Sequence, residues 1–336
     1  MRAEEPGLPL AVTTSAPEWL WRRALGEPLS FRARACDVGL VQRGALSIDE
    51  PGTLTALSEW SSTWEARVTE EAAWLKRSNA RVVLGDVPPL AFAAAEAAGL
   101  PSLGLANFSW DWIYAHLARR QPDFEPHAEA ARRAYASCGR LLRLPFAGDL
   151  SAFPRVEDVP LVARRPRRGR QAARRALNLQ RHKVVLWSFG GLGWPGFDAT
   201  CLAALPEYLS LLTSAGAVLP ENARHVGLEE LDTLGLDYAD LVAAADVVVT
   251  KPGYGIVSDA VAAGTPVVYT DRGDFPEYPI MVAQMPRYLA CAFVAQDDLA
   301  AGRLGPALAS VLEQSRPQPP ALDGAQRSAR RLLETL

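Results

Sequence analysis

Two glycine-rich segments at the ends of apolar runs hold the residues best placed to do chemistry. The first is Ala245-Asp-Val-Val-Val-Thr-Lys-Pro-Gly-Tyr-Gly-Ile-Val-Ser-Asp-Ala-Val-Ala-Ala-Gly-Thr-Pro-Val-Val-Tyr-Thr270. It reads as strand, turn, helix, glycine stop and strand. Gly253 and Gly255 free the backbone where the helix begins. A helix start offers unpaired N–H groups and the positive end of the dipole to an anion. Ser258 can add a hydroxyl to the same phosphate, and Asp259 can accept hydrogen bonds from a ribose diol. The dinucleotide fingerprint is incomplete, because its third glycine position is Ser258. Glycines needed only for close strand–helix packing are the competing explanation. The second segment, Val184-Val-Leu-Trp-Ser-Phe-Gly-Gly-Leu-Gly-Trp194, runs a strand into Gly190, Gly191 and Gly193. In open α/β sheets ligands bind beyond the C-terminal strand ends, so two such exits in one domain can flank a diphosphate.

The first half carries a different chemistry. Val82-Val-Leu-Gly-Asp-Val-Pro-Pro89 ends a strand at Asp86. Ala106-Asn-Phe-Ser-Trp-Asp-Trp-Ile-Tyr114 ends the next with Asn107, Ser109 and Asp111 among Phe108, Trp110, Trp112 and Tyr114. Flat apolar faces mixed with hydrogen-bonding groups suit a sugar or polyol. Capping of the helix from Trp110 by Ser109 or Asn107 explains the same residues equally well. His116, His127, His182 and His225 form no pattern with a Ser or Cys nucleophile. No Gly-x-Ser-x-Gly elbow, His-Glu-x-x-His or Gly-Lys-Ser/Thr loop is present.

These residues need elements to position them, and the chain supplies apolar runs alternating with alanine-rich helical segments. The runs are Leu10–Thr13, Val82–Leu84, Leu103–Ala106, Val184–Trp187, Val247–Thr250, Val267–Thr270 and Leu289–Phe293. Helical spacing occupies Leu90–Ala98, Asp240–Ala244 and Ile256–Ala263. Continuously apolar strands separated by helices predict parallel sheets covered on both faces, hence an α/β, doubly wound fold. With 336 residues, two domains are expected. The basic run Ala163-Arg-Arg-Pro-Arg-Arg-Gly-Arg170 marks a linker near the midpoint. The expected division is a domain over 1–160, a linker over 161–180, a second domain over 181–320 and a helix over 321–336.

Composition removes several classes of function. Hydrophobic residues make up 49% and charged residues 22%, with a net charge of -3. That balance argues against nucleic acid as a partner, although the arginine run leaves contact with an acidic acceptor or a lipid surface open. No apolar run is long enough to span a bilayer, and the start carries acidic residues and a proline rather than a secretion signal. Cys36, Cys138, Cys201 and Cys291 stand far apart, which predicts reduced thiols, no structural metal and a cytoplasmic protein.

Several segments together resemble a known family. Ala245–Thr270, followed by Asp274-Phe-Pro-Glu-Tyr278, resembles the donor domain of GT-B glycosyltransferases, the peptidoglycan N-acetylglucosaminyltransferases among them. The glycosyltransferase-like N-terminal region of plant L-arabinokinases is similar over more of the chain. The segments are Arg81–Pro88, Asn107–Asp111, Asp158–Val162, Phe189–Gly191, Lys251–Asp259 and Phe275–Pro279, spread over about residues 35–315. The resemblance implies two Rossmann-like domains facing a cleft and metal-independent, inverting sugar transfer from a nucleoside-diphosphate donor, with UDP expected. No cofactor is implied beyond the nucleotide sugar as co-substrate. It puts the diphosphate near Gly190, Gly191, Gly193, Gly253, Tyr254, Gly255 and Ser258, the ribose near Asp259, which replaces the family's glutamate, and the donor sugar near Glu277. Asn107, Ser109 and Trp110 fall on the acceptor side, and Asp86 and Asp111 are the candidate bases. Leu8–Thr13 matches the family's second strand, and its opening strand and Gly-His-Gly-x-Gly-His-like loop have no counterpart, so an N-terminally short first domain is expected. No sugar-kinase phosphate loop is present. A non-catalytic nucleotide-sugar-binding module and a hydrolase or epimerase acting on the nucleotide sugar are the alternatives.

Overall fold

The structure is a computed structural model that describes residues 2–42, 44, 47–190, 197–213 and 218–336. The chain divides into two compact units, one of residues 2–41, 49–161 and 323–336, the other of 162–322 together with 42–48.

In the first unit β1 (Leu10–Thr14) pairs in parallel with β2 (Leu29–Ala33). A separate parallel sheet runs β3 (Val83–Gly85), β4 (Ser102–Ala106), β5 (Arg140–Arg143) and β6 (Val156–Asp158) in chain order. The helix Pro89–Ala98 between β3 and β4 begins on proline and ends at Gly99. That is the asymmetry expected when a missing N–H is harmless at the start and a left-handed residue closes the end. Its Phe92 packs with Tyr135 of the helix Glu125–Ala136 and with Phe153, ring centroids 5.8 and 6.0 Å away, and those two rings stand 4.6 Å apart. The C-terminal helix Gly324–Leu333 belongs to this unit, where Arg331 pairs with Glu157 of β6 at 2.7 Å. Gly324 permits that docking, since a Cβ there would stand 2.0 Å from the Pro160 carbonyl oxygen.

The second unit holds one six-stranded parallel sheet. Its strands are β7 (Lys183–Ser188), β8 (Tyr208–Leu212), β9 (Ala223–His225), β10 (Val247–Thr250), β11 (Val267–Tyr269) and β12 (Cys291–Phe293). Spatially they run β12-β11-β10-β7-β8-β9. Counted from β7, this is the doubly wound order 3-2-1-4-5-6. β10 is buried along its whole length and β7 everywhere but at Lys183, as expected of central parallel strands covered on both faces.

The arginine run is part of this unit's packing. Arg170 and Arg174, on the helix Gly169–Ala176, donate to the carbonyls of Ala243, Ala244 and Ala245 at the end of the helix Tyr238–Ala244. Both also pair with Asp246. Cations at a helix C-terminus satisfy its unpaired carbonyls and its dipole. The other end of that helix has a reciprocal capping box between Asp237 and Asp240. The four cysteines are free thiols. Among the described residues no helix is long and apolar enough to cross a membrane.

Candidate functional site

In the second unit, β7 and β10 lie side by side, with Ser188 opposite Thr250. From β7 the chain builds outward through β8 and β9, and from β10 through β11 and β12. The winding therefore reverses between β7 and β10, and their C-terminal ends open the crevice where such sheets bind ligands. Both expected loops leave there: Phe189 and Gly190 after β7, and Lys251-Pro-Gly253 after β10. Gly191 and Gly193 lie outside the described residues.

The helix Tyr254–Ala263 begins at the mouth of this crevice, and its N-cap, Gly253, has no side chain to occupy the space. Among the described residues, a Cβ added at Gly253 or Gly255 would meet nothing within 4 Å. Room is thus left for a ligand to approach the helix start. Ser258 turns its hydroxyl back to donate to the Gly255 carbonyl at 2.9 Å, so its proton is committed inside the helix. The Tyr254 hydroxyl accepts from the Val162 N–H at 3.1 Å.

Two cations missed in the sequence border the same crevice. Lys251 directly follows β10 and Arg272 lies three residues beyond β11. Burial and the neighbouring Arg272 lower the Lys251 pKa to about 8. Arg272 lies over the Phe275 ring at 3.8 Å and faces Glu277 at 3.5 Å. Burial lowers its pKa and the Glu277 carboxylate opposes that shift. Glu277, expected at the donor sugar, is buried and held toward Arg272. A lysine immediately after an apolar strand was a readable signal, whereas the nearness of Arg272 follows only from the pairing of β10 with β11.

Asp259 is 1% exposed and faces the Arg164 guanidinium, whose Nε stands 3.0 Å from Oδ2. The Arg164 backbone N–H reaches Oδ1 at 3.2 Å. Burial raises the Asp259 pKa, and Arg164 opposes the rise through its hydrogen bonds and charge. The same guanidinium lies 5.2 Å from the Tyr238 ring centre, and the Tyr238 hydroxyl meets that of Ser188 at the end of β7.

The first unit brings a second group of expected residues together at the ends of β3 and β4. Asp86 follows β3 with part of its surface exposed, while the surrounding chain crowds its carboxylate. Val87 after it has φ of 76°, a conformation a β-branched residue adopts only when its surroundings hold it there. The holding group is Tyr135, whose hydroxyl donates to the Val87 carbonyl at 2.7 Å and accepts from the Trp110 N–H at 3.1 Å. Trp110 in turn donates through its indole N–H to Asp37 at 2.8 Å. Partial burial, then the Asp37 charge, lifts the Asp86 pKa above the usual carboxylate range. Asp37 is itself raised by burial, against the Trp110 hydrogen bond. Asp37 was not among the expected site residues, and nothing in its local sequence marks it.

The two candidate bases are in unlike settings. Asp111 is 3% exposed, accepts from the Ser109 hydroxyl at 2.5 Å and lies 3.5 Å from Arg132. Burial raises its pKa and the Ser109 hydrogen bond lowers it. It has no open face toward a ligand, and Asn107 and Ser109 are buried beside it. Trp110 stacks on Tyr114 at 5.7 Å and meets Phe108 edge-on at 5.1 Å. Elsewhere in the second unit, a cavity of about 510 Å³ lined by Leu177, His182, Leu209, Arg224 and Glu230 adjoins the starts of β7 and β8, the opposite edge of the sheet from the glycine loops.

No protein-family model matches the chain. The chain is 31% identical to L-arabinokinase of Arabidopsis thaliana over 330 residues, 96% of this chain and 31% of that protein. It therefore spans less than a third of its relative's length. Among solved structures it is similar to the glycotransferase of kitacinnamycin, with 18% identity, a TM-score of 0.57 and coverage of 97% of this chain and 94% of that one. It is also similar to Phytolacca americana UGT2, solved with UDP-2fluoro-glucose and pterostilbene, with 12% identity, a TM-score of 0.57 and coverage of 97% and 86%.

Proposed function

Since the chain has the GT-B glycosyltransferase fold and resembles the matching stretch of L-arabinokinase, we propose that it transfers a sugar from a nucleoside-diphosphate donor to an acceptor hydroxyl. A UDP-sugar is the proposed donor, and transfer is metal-independent and inverting. The observation that carries this reading is the junction of β7 and β10, where a helix start that the described residues leave unobstructed meets the Lys251–Arg272 pair. A leaving diphosphate gains negative charge as the glycosidic bond breaks. Fixed dipoles and cations stabilise that charge most where water is scarce. Asp86 is the proposed base: it is a carboxylate that reaches solvent at a strand end, and, unlike Asp158 at the end of β6, its pKa is raised toward working pH. Free thiols and the absence, among the described residues, of a membrane-spanning helix fit a cytoplasmic setting.

A nucleotide-sugar-binding module without catalysis is the second reading. The observation favouring it is that Asn107, Ser109 and Asp111, expected on the acceptor side, are buried in the first unit's own packing. Calorimetric titration with UDP, GDP, dTDP and their sugar conjugates tests the donor half. Nucleotide release from the sugar conjugate that binds, with and without acceptor alcohols, then separates the two readings. Selective binding with acceptor-stimulated release supports the transferase; binding with no release supports the module; no binding at millimolar ligand rejects both.

A further inference from the structure

Asp259 occupies the position expected to hold a ribose diol, yet its hydrogen-bonding capacity is directed elsewhere. Arg164 approaches it with Nε at 3.3 Å from Oδ1 and 3.0 Å from Oδ2, with Nη2 on Oδ2, and with its own backbone N–H on Oδ1 at 3.2 Å. An ionised carboxylate has about four lone-pair sites. Here both oxygens are taken by one residue, in a side chain 2% exposed. A ribose would have to displace that fork and leave a buried charge unpaired, which is strongly unfavourable.

The other end of the pair is open. The Arg164 side chain is 62% exposed although its Nε and Nη2 are anchored. A guanidinium carries five N–H donors, and Nη1 makes no hydrogen bond to the described residues. Two further contacts set its position. The guanidinium lies 5.2 Å from the centre of the Tyr238 ring, and Tyr238 is tied to Ser188 at the end of β7. Arg164 is therefore held beside the crevice by a buried carboxylate beneath it and an aromatic face beside it. Held this way, an arginine loses little freedom on meeting an anion and matches the oxygens of a phosphate well.

We propose that Asp259 is the anchor of Arg164, and that the Arg164 guanidinium, rather than the Asp259 carboxylate, meets the bound nucleotide, through its phosphates. This inference rests on the donor-site reading above and alters its chemistry. The contact changes from an acceptor on sugar hydroxyls to a donor on phosphate, so the site recognises the charged part of the nucleotide and is indifferent to the 2′-hydroxyl.

The test is calorimetric binding of UDP, 2′-deoxy-UDP and uridine to wild type, Arg164→Ala, Arg164→Lys, Asp259→Asn and the double variant Arg164→Ala/Asp259→Asn. Wild type is expected to bind UDP and 2′-deoxy-UDP within about twofold of each other, and uridine far more weakly. Arg164→Ala and Asp259→Asn each weaken UDP by roughly tenfold, the double variant weakens it no further, and uridine binding is unaffected. Arg164→Lys keeps the buried charge paired but loses the fork, and falls between. Its thermal melt, matched to wild type, separates a binding loss from a folding loss in the other variants. A large loss with Asp259→Asn for UDP but not for 2′-deoxy-UDP, with Arg164→Ala unchanged, restores the carboxylate to the ribose and overturns the proposal. Failure of wild type to bind any of the three removes the donor-site reading itself, and this proposal with it.

Discussion

The two units place opposite charges at their strand ends, and both charges are held away from their ordinary equilibria. At the ends of β10 and β11 the side chains are cations, Lys251 and Arg272, which burial pushes toward neutrality. At the end of β3 it is a carboxylate, Asp86, which burial and Asp37 push toward its protonated form. Folding alone does not favour either arrangement. A lysine that titrates near 8 when folded and 10.5 when unfolded binds fewer protons folded across that window, so its share of stability rises as pH climbs from about 8 to 10.5. A carboxylate raised on folding binds more protons folded, so its share is lost as pH rises through the raised value. At neutral pH both units hold a charge that the fold disfavours. Residues kept in a disfavoured state are candidates for function, one set matched to an anion and the other to receiving a proton.

If the first unit supplies the proton acceptor, Asp86→Asn has the largest effect. The rate of sugar transfer should fall by roughly 10²–10⁴-fold while nucleotide affinity stays at the wild-type value. Steady-state transfer measured beside calorimetry checks both halves. A variant that loses nucleotide binding instead would erase the contrast between the units. Gly253→Val probes the other side. Its Cβ meets nothing among the described residues, so the melting temperature should stay close to wild type while nucleoside-diphosphate affinity drops by about ten- to a hundredfold. Unchanged affinity in the folded variant would mean that no phosphate approaches that helix start.

Lys251→Ala should weaken UDP by about tenfold, through loss of one charge-assisted contact. Its pH dependence is more telling. Affinity of wild type should fall as pH rises through about 8, because the ammonium form is the one that attracts phosphate. A bound diphosphate favours that form, so binding near pH 8 takes up a proton. Titrations at pH 8 in buffers of different ionisation enthalpy should detect uptake in wild type and none in Lys251→Ala. The same dependence of observed heat on buffer ionisation enthalpy in the two proteins would remove Lys251 from the site.

What could be read in advance follows the range of each interaction. β10 and the helix after it are local, a buried apolar run and a glycine-bounded helix, and both stand close to where the sequence put them. β5 and β6 are three or four residues long with charged or polar ends, too short to show a period. The helices Glu50–Ser62 and Trp64–Arg77 abut at Thr63, which breaks the apolar stripe, and were not anticipated. In the site the glycines were legible because a turn is written in its own residues. The roles of Asp259 and Asp86 depend on partners that only folding brings near. Arg164 is 95 residues from Asp259, and the Tyr135 that fixes Val87 is 48 residues away. Local sequence marks a residue able to take a ligand; it does not reveal that another residue has taken that place.

The smallest expected effect separates the two causes acting on Asp86. Asp37→Asn removes the neighbouring charge and leaves the burial, and an asparagine oxygen can still accept from the Trp110 indole, so the loop should keep its shape. The Asp86 pKa should then fall toward the ordinary range. In a profile of transfer rate against pH, the rising limb moves to lower pH, with the plateau preserved. Stability moves in the same sense. At neutral pH the variant has lost a carboxylate whose ionisation folding disfavours, so its melting temperature should rise. Well below the carboxylate range, where both aspartates are protonated, the difference should vanish. A profile that stays fixed, with no gain in melting temperature at neutral pH, would mean that the two carboxylates do not sense each other. The disfavoured charge in the first unit would then come from burial of Asp86 alone.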